Sequence, residues 1–207
     1  MALGTVIRQF NAPSSGAMGL AFDGRTLWHT NDDLDRIYLL DPSSLAVIRT
    51  FVAPSDQPRG LAWDGRTLWY SDVESDRVYQ IDPVSGAVIR SFAAPDANLG
   101  DIAWDGRTLW GIGAENDLIY QIDPVSGAVI RSFAAPASFG LGIEWVDGRL
   151  YVADYGIVTL YEVDPATGAV IRSAGLPGTQ ARGLTSDGRT LWHCDNIAAK
   201  IWQLSLN

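Results

Sequence analysis

One cysteine, Cys194, stands among 207 residues, so no internal disulfide framework can brace this chain. Lysine is nearly as scarce: of 15 basic residues only Lys200 is one, and the arginine preference beside abundant Ala, Gly, Asp and Pro reads as codon bias rather than mechanism. A surplus of acids leaves a net charge of −9. That balance argues against nucleic acid or an anionic membrane surface as a partner. No apolar run approaches the roughly 18 residues that span a bilayer, and the start lacks the charged and apolar regions of a signal peptide. The compartment stays open; a leader removed before Met1 would make a secreted or cell-surface location the expectation. The sequence has no G-x-S-x-G, no H-E-x-x-H and no glycine-rich phosphate loop. Its two histidines, His29 and His193, share a column in adjacent units and lack the three or four convergent ligands a metal needs. They read as packed side chains, and neither metal nor cofactor is expected.

What fills the chain is repetition. The aromatic of a TLW phrase recurs at Trp28, Trp69, Trp110, Tyr151 and Trp192, always 41 residues apart. A VIR phrase keeps the same step at Val6, Val47, Val88, Val129 and Val170, dividing the chain into 6–46, 47–87, 88–128, 129–169, and 170–207 with 1–5. A period in the forties with four strand-like runs is the signature of a propeller blade. The expected fold is therefore all-β: a single-domain, five-bladed β-propeller over 1–207, with four antiparallel strands per 41-residue blade.

In the second unit, Gly60–Trp63 leads into Asp64-Gly65, a two-residue hairpin signal. Thr67–Ser71, Arg77–Ile81 and Val88–Phe92 are the next strands, with Asp82–Gly86 as a Pro/Gly turn between the last two. The chain ends on a third strand, Ile201–Leu204, and begins with a fourth, Thr5–Phe10. The N-terminal strand is therefore expected to complete the last blade and remove its free edge. The aromatic columns read as packing between blades.

On one face the loops repeat, with DGR at 23, 64, 105, 147 and 187; these acids and arginines read as turn caps and solvated charges. The other rim carries the fourth-to-first loops (SSGAM, SDQPR, DANLG, ASFGL, GTQAR) and the second-to-third loops (NDDLD, DVESD, GAEND, DYGIV, DNIAA), which differ from blade to blade. Variation on a constant frame suits a binding surface, and unconstrained loop drift gives the same pattern. Within that rim Asp72, Asp154 and Asp195 share a column with Asn31 and Gly113. They are either Asx caps or oxygen ligands for sugar hydroxyls or a hard cation. Other rim acids bias the surface toward cationic partners. Arg59 and Arg182 precede the innermost strands near the channel mouth, where their forks suit carboxylate or phosphate. Phe139 and Tyr155 add exposed aromatics, and Glu144 interrupts a column otherwise holding Ala21, Ala62, Ala103 and Thr185. Leu45 replaces the turn glycine of Gly86, Gly127 and Gly168, so Leu45→Gly is expected to stabilise.

The phrase GLAWDGRTLWYSD…VYQIDPVSGAVIRSF resembles bacterial and archaeal propeller repeats of the YVTN and NHL-like kind, and also the five-bladed glutamine cyclotransferases. The latter resemblance implies a catalytic glutamate after the aromatic of one second strand. The matching column is His29, Tyr70, Gly111, Val152 and His193, with no acid. A glycosidase would need two spaced carboxylates in a central pocket, and Glu144 is the one obvious inner acid. The reading is a non-catalytic recognition or scaffold module, with a protein, peptide or glycan bound at the variable rim by a monomer. A lectin, or an enzyme using a channel pocket, are the alternatives. Repeats this regular imply recent amplification or an engineered origin.

Overall fold

The computed structural model describes all 207 residues, and every regular element in it is a strand. The chain opens with Val6–Asn11 (β1). The first blade is Ala17–Phe22 (β2), Leu27–Asn31 (β3), Arg36–Leu40 (β4) and Val47–Val52 (β5). The second is Pro58–Trp63 (β6), Leu68–Asp72 (β7), Arg77–Ile81 (β8) and Val88–Ala93 (β9). The third is Leu99–Trp104 (β10), Leu109–Gly113 (β11), Leu118–Ile122 (β12) and Val129–Ala134 (β13). The fourth is Gly140–Val146 (β14), Arg149–Asp154 (β15), Thr159–Val163 (β16) and Val170–Gly175 (β17). The last begins with Ala181–Ser186 (β18), Thr190–Asp195 (β19) and Lys200–Ser205 (β20), and β1 supplies its outer strand. Five antiparallel four-stranded sheets result: the expected five-bladed β-propeller.

Each blade is held at its turns by an aspartate. In the second, Asp64 Oδ1 accepts from the backbone N–H of Arg66 (2.8 Å) and Thr67 (2.6 Å), and Oδ2 accepts from Trp69 Nε1 (2.8 Å). Burial raises this carboxyl's pKa, but the bonds from Thr67 and Trp69 outweigh it and hold the group below its ordinary value. The Asp64 N–H donates to Thr67 O at 3.2 Å, so Asp-Gly-Arg-Thr is a four-residue turn and not the two-residue hairpin expected from Asp-Gly. The fourth blade alone makes that hairpin. There the phrase is displaced by one residue: Val146 pairs with Arg149, and Asp147 and Gly148 take φ of 48° and 80°.

The core lies between blades. Ala21, Trp28 and Ile37 of one blade pack with Leu61, Leu68, Tyr70 and Ile81 of the next, and the other four gaps repeat the scheme. Neither face of one sheet could be buried without its neighbour. At the seam, Phe10 pairs with Ile201 in register and stacks on Trp192 with ring centroids 6.0 Å apart. The N-terminal strand closes the ring as the termini imply.

Candidate functional site

Five inner strands meet at the centre so closely that four of them carry glycine at the crossing point. A Cβ on Gly19, Gly60, Gly142 or Gly183 would collide with the backbone of the next inner strand. The fifth member of that column is Asp101, which is 1% exposed. Its Oδ1 accepts from Leu61 N–H (3.2 Å), and its Oδ2 from Ile143 N–H (3.2 Å) and Leu184 N–H (3.0 Å). One carboxylate of the third blade thus ties the inner strands of the second, fourth and last blades. Sequence reasoning missed it, counting Glu144 as the one obvious inner acid. The signal was present: Asp101 is the lone non-glycine of a column spaced by 41 residues.

Glu144 keeps intermediate exposure. Burial, and then the charge of Asp101, push its carboxyl well above the ordinary glutamate range. Burial also pushes Asp101 upward against the pull of its backbone donors. Three N–H donors suit an ionised acceptor. Those donors favour Asp101 over Glu144 as the charged member of the pair.

The level above this crossing is the channel mouth on the variable rim. Its column reads Met18, Arg59, Gly100, Leu141 and Arg182, so two blades bring guanidinium groups to one opening. Both arginines belong to the inner strands β6 and β18 themselves and do not merely precede them. Arg59 lies 3.5 Å from Asp32 and donates to Met18 Sδ at 3.4 Å. Arg182 joins no ion pair; its guanidinium carbon sits 4.6 Å from the centre of the Tyr155 ring. The Nε atoms of both are buried without an acceptor. Burial, then the like charge of Arg59, lowers the pKa of Arg182 from its usual value.

Beside the two arginines opens a cavity of 280 Å³ whose other walls are Asn98, Ala114, Phe139, Leu141 and Tyr155. Phe139 is 57% exposed. It adopts φ +75°, a left-handed conformation that a bulky side chain rarely takes. The loop is fixed there at both ends: Phe139 N–H donates to Asp117 Oδ1 (3.2 Å), and Phe139 O accepts from Tyr155 N–H (3.0 Å). Strain held by its surroundings, with an aromatic ring left in solvent, is a feature of ligand sites.

The aspartate column is placed differently. Asp72, Asp154 and Asp195 are at most 2% exposed. Asp72 Oδ1 accepts from Ser75 N–H, Asp154 Oδ1 from Ile157 N–H, and Asp195 Oδ1 from Ala198 N–H. All three cap their loops, the Asx-cap side of the two readings of the sequence. Where the third blade has Gly113, Asp96 from the neighbouring loop fills the space and accepts from Asn116 Nδ2 at 2.9 Å. The histidines are packed too. His29 Nδ1 meets Gly19 O and His193 Nε2 meets Pro177 O, each at 3.2 Å, and burial pulls both pKa values down to about 4. No group of three or more His, Cys, Asp or Glu side chains converges as a metal site would require.

Larger openings of 430 and 400 Å³ lie on the repeated face. Part of their charged lining is engaged, with Arg172 Nε donating to Glu162 Oε2 at 2.5 Å and Asp64 and Asp82 capping turns, whereas Arg66, Arg90 and Arg189 join no ion pair. The mouth is smaller but sets two guanidinium groups, each with a buried Nε lacking an acceptor, beside apolar walls.

No protein-family model matches the chain, and no curated protein matches it. Solved structures do. Glutaminyl cyclase from Myxococcus xanthus superposes with a TM-score of 0.82 at 14% identity, covering 96% of this chain and 94% of that one. Virginiamycin B lyase from Staphylococcus aureus gives 0.58 at 14% identity, over 97% and 99% of the two chains. The WD40 propeller domain of Doa1 gives 0.60 at 14%, over 91% and 63%. At these identities the likeness is one of fold, and that fold serves enzymes and binding domains alike.

Proposed function

We propose that the chain is a non-catalytic recognition module that takes its ligand at the channel mouth of the variable rim. The propeller supports a binding or scaffold role in general. One observation carries the finer reading: five near-identical blades converge on a mouth that is not five-fold. Arg59 and Arg182 come from two blades, and Phe139, Leu141 and Tyr155 from a third, around one cavity. Pockets that bind small groups combine apolar walls with a few convergent polar donors, as here. The cyclase-like neighbour does not extend its activity to this chain, whose column after the second-strand aromatic offers no acid. A lectin reading built on Asp72, Asp154 and Asp195 would need carboxylates that the loops already use.

The test is amide chemical-shift mapping against a library of small neutral, acidic and sugar fragments. Shifts clustered at Arg59, Phe139, Tyr155 and Arg182 are expected. Shifts confined to the DGR face, or an absence of shifts with every fragment, would sink the proposal.

A further inference from the structure

The geometry points to a carboxylate joined to a flat apolar group as the ligand of this mouth, an inference that rests on the recognition reading above. Two guanidinium groups share one opening; Asp32 ion-pairs with Arg59 and its charge also acts on Arg182, while Asp101, which lines the same opening, is already held by three backbone N–H groups. Arg182 has an aromatic face beneath it and no acceptor in its plane. An arginine stacked on a ring keeps its N–H edge free, and that edge presents two parallel donors to an incoming carboxylate. Burial, then the like charge of Arg59, disfavours the charged form of Arg182, and Asp32 acts in the opposite sense. An anion between the two removes that repulsion, whereas a cation would add to it.

The apolar half of the ligand follows from the walls. Phe139, Leu141 and Tyr155 line the same 280 Å³ cavity as the two arginines, and Ala114 adds a small apolar wall. That volume holds one aromatic or branched side chain and not an oligosaccharide. A phosphate on a sugar would leave these walls against a polar body, so a carboxylate on a hydrocarbon frame fits better. Two sources share this chemistry, a free aromatic acid and the C-terminus of a peptide ending in an apolar residue.

Calorimetric titration of the intact protein decides the matter, with N-acetyl-L-phenylalanine and its uncharged amide as the probes. The acid is expected to bind at least about tenfold more tightly than the amide, as charge-assisted bidentate bonds predict. Arg182→Gln is expected to abolish that preference. Phe139→Ala should weaken acid and amide alike, and Asp32→Asn should strengthen the acid by freeing Arg59. Each variant is checked for wild-type melting, and Arg182→Lys, which keeps the charge but not the fork, is the milder control. The peptide Gly-Gly-Phe binding more tightly than phenylacetate would identify a peptide terminus, and the reverse order a free acid; either supports the inference. Equal binding of acid and amide, with shifts still at the mouth, would overturn the carboxylate inference and leave the recognition reading standing. No binding of either probe, with fragment shifts confined elsewhere, would overturn both.

Discussion

Leu45 tests how far a local rule survives its surroundings. Its φ is +56°, the left-handed region expected from the glycines in the same turn of three other blades. That conformation costs a non-glycine residue about 1–2 kcal/mol, so replacement by glycine seemed stabilising. The structure reverses the sign, because Leu45 is only 6% exposed and packs in the seam cluster with Trp192, Cys194 and Ile201. Elsewhere the space is filled by the previous blade's phenylalanine: a Cβ on Gly86 would meet the Phe51 ring at 2.9 Å. At the seam Phe10 lies nearly flat on Trp192, at 20°, where Phe51, Phe92 and Phe133 tilt by 45–57° against their tryptophans. The flatter ring leaves room for Leu45. Removing the buried leucine side chain costs about 3 kcal/mol with its cavity. Glycine's extra freedom in the unfolded chain adds about 0.7 kcal/mol. Against a relief of about 1.5 kcal/mol, the net destabilisation is about 2 kcal/mol, or a fall of roughly 4–8 °C in a domain this size. Leu45→Ala loses the same burial and keeps the strain, so it should melt lower still. Thermal unfolding by circular dichroism should therefore order the proteins wild type, Leu45→Gly, Leu45→Ala. A Leu45→Gly melting temperature above wild type would show that strain outweighs burial at this turn.

Deleting residues 1–10 strips Phe10 from Trp192 and opens the β20 edge; a lower melting temperature with new dye binding to exposed apolar surface is expected, and unchanged melting would contradict this closure. Glu144 has a folded pKa raised above its unfolded value of about 4.3, so its stabilising contribution is complete below that pH and is lost as pH rises through the folded pKa. Glu144→Gln should match wild type near pH 4 and exceed it in chemical denaturation at neutral pH; parallel pH profiles would refute the upward shift of its pKa. Cys194 Sγ donates to Met18 O at 2.9 Å, as Ser71 Oγ does to Gly100 O at 2.6 Å two blade gaps over. Cys194→Ser should thus change stability by less than about 1 kcal/mol, and Cys194→Ala should cost about that much, since it leaves a buried carbonyl without its donor. Asp64→Ala removes a cap that gathers the turn N–H groups and Trp69 Nε1, for about 1–2 kcal/mol; Asp147→Ala, in the two-residue hairpin, should cost less, and the reverse order in urea melts would refute the distinction.

The fold was legible because its signals are periodic. Turn proline and glycine, strand alternation and the 41-residue step repeat until no other architecture accommodates them. The unmatched strands at the termini even revealed the seam. The Asp-Gly turns were misread because a hairpin signal in a dipeptide says nothing of the tryptophan two residues beyond the turn, whose Nε1 recruits the aspartate into a longer loop. Asp101 was missed for a related reason. Alternation says which residues face inward, but the glycine requirement comes from the approach of another blade's backbone, which no single strand encodes.

The candidate site was half legible. Arg59 and Arg182 stood out by their place near the channel mouth, and Phe139 and Tyr155 as exposed aromatics, and the structure brings them to one cavity. Asp72, Asp154 and Asp195 formed the more regular pattern, and they turn out to hold loops together. In a chain of near-identical units that contrast has a physical basis. Whatever every blade needs in order to fold recurs in every blade, so a residue that breaks its column is either tolerated or used by the whole ring at one place. The fourth blade concentrates such breaks: Glu144 and Tyr151 lie toward its interior, and Phe139, Leu141 and Tyr155 lie at the mouth. Its hairpin is altered and Tyr151 replaces the tryptophan of its second strand, yet the same four strands form with the same pairing. A ring whose other gaps are fully packed can absorb one divergent blade, and the divergence supplies the apolar wall that two arginines from other blades complete.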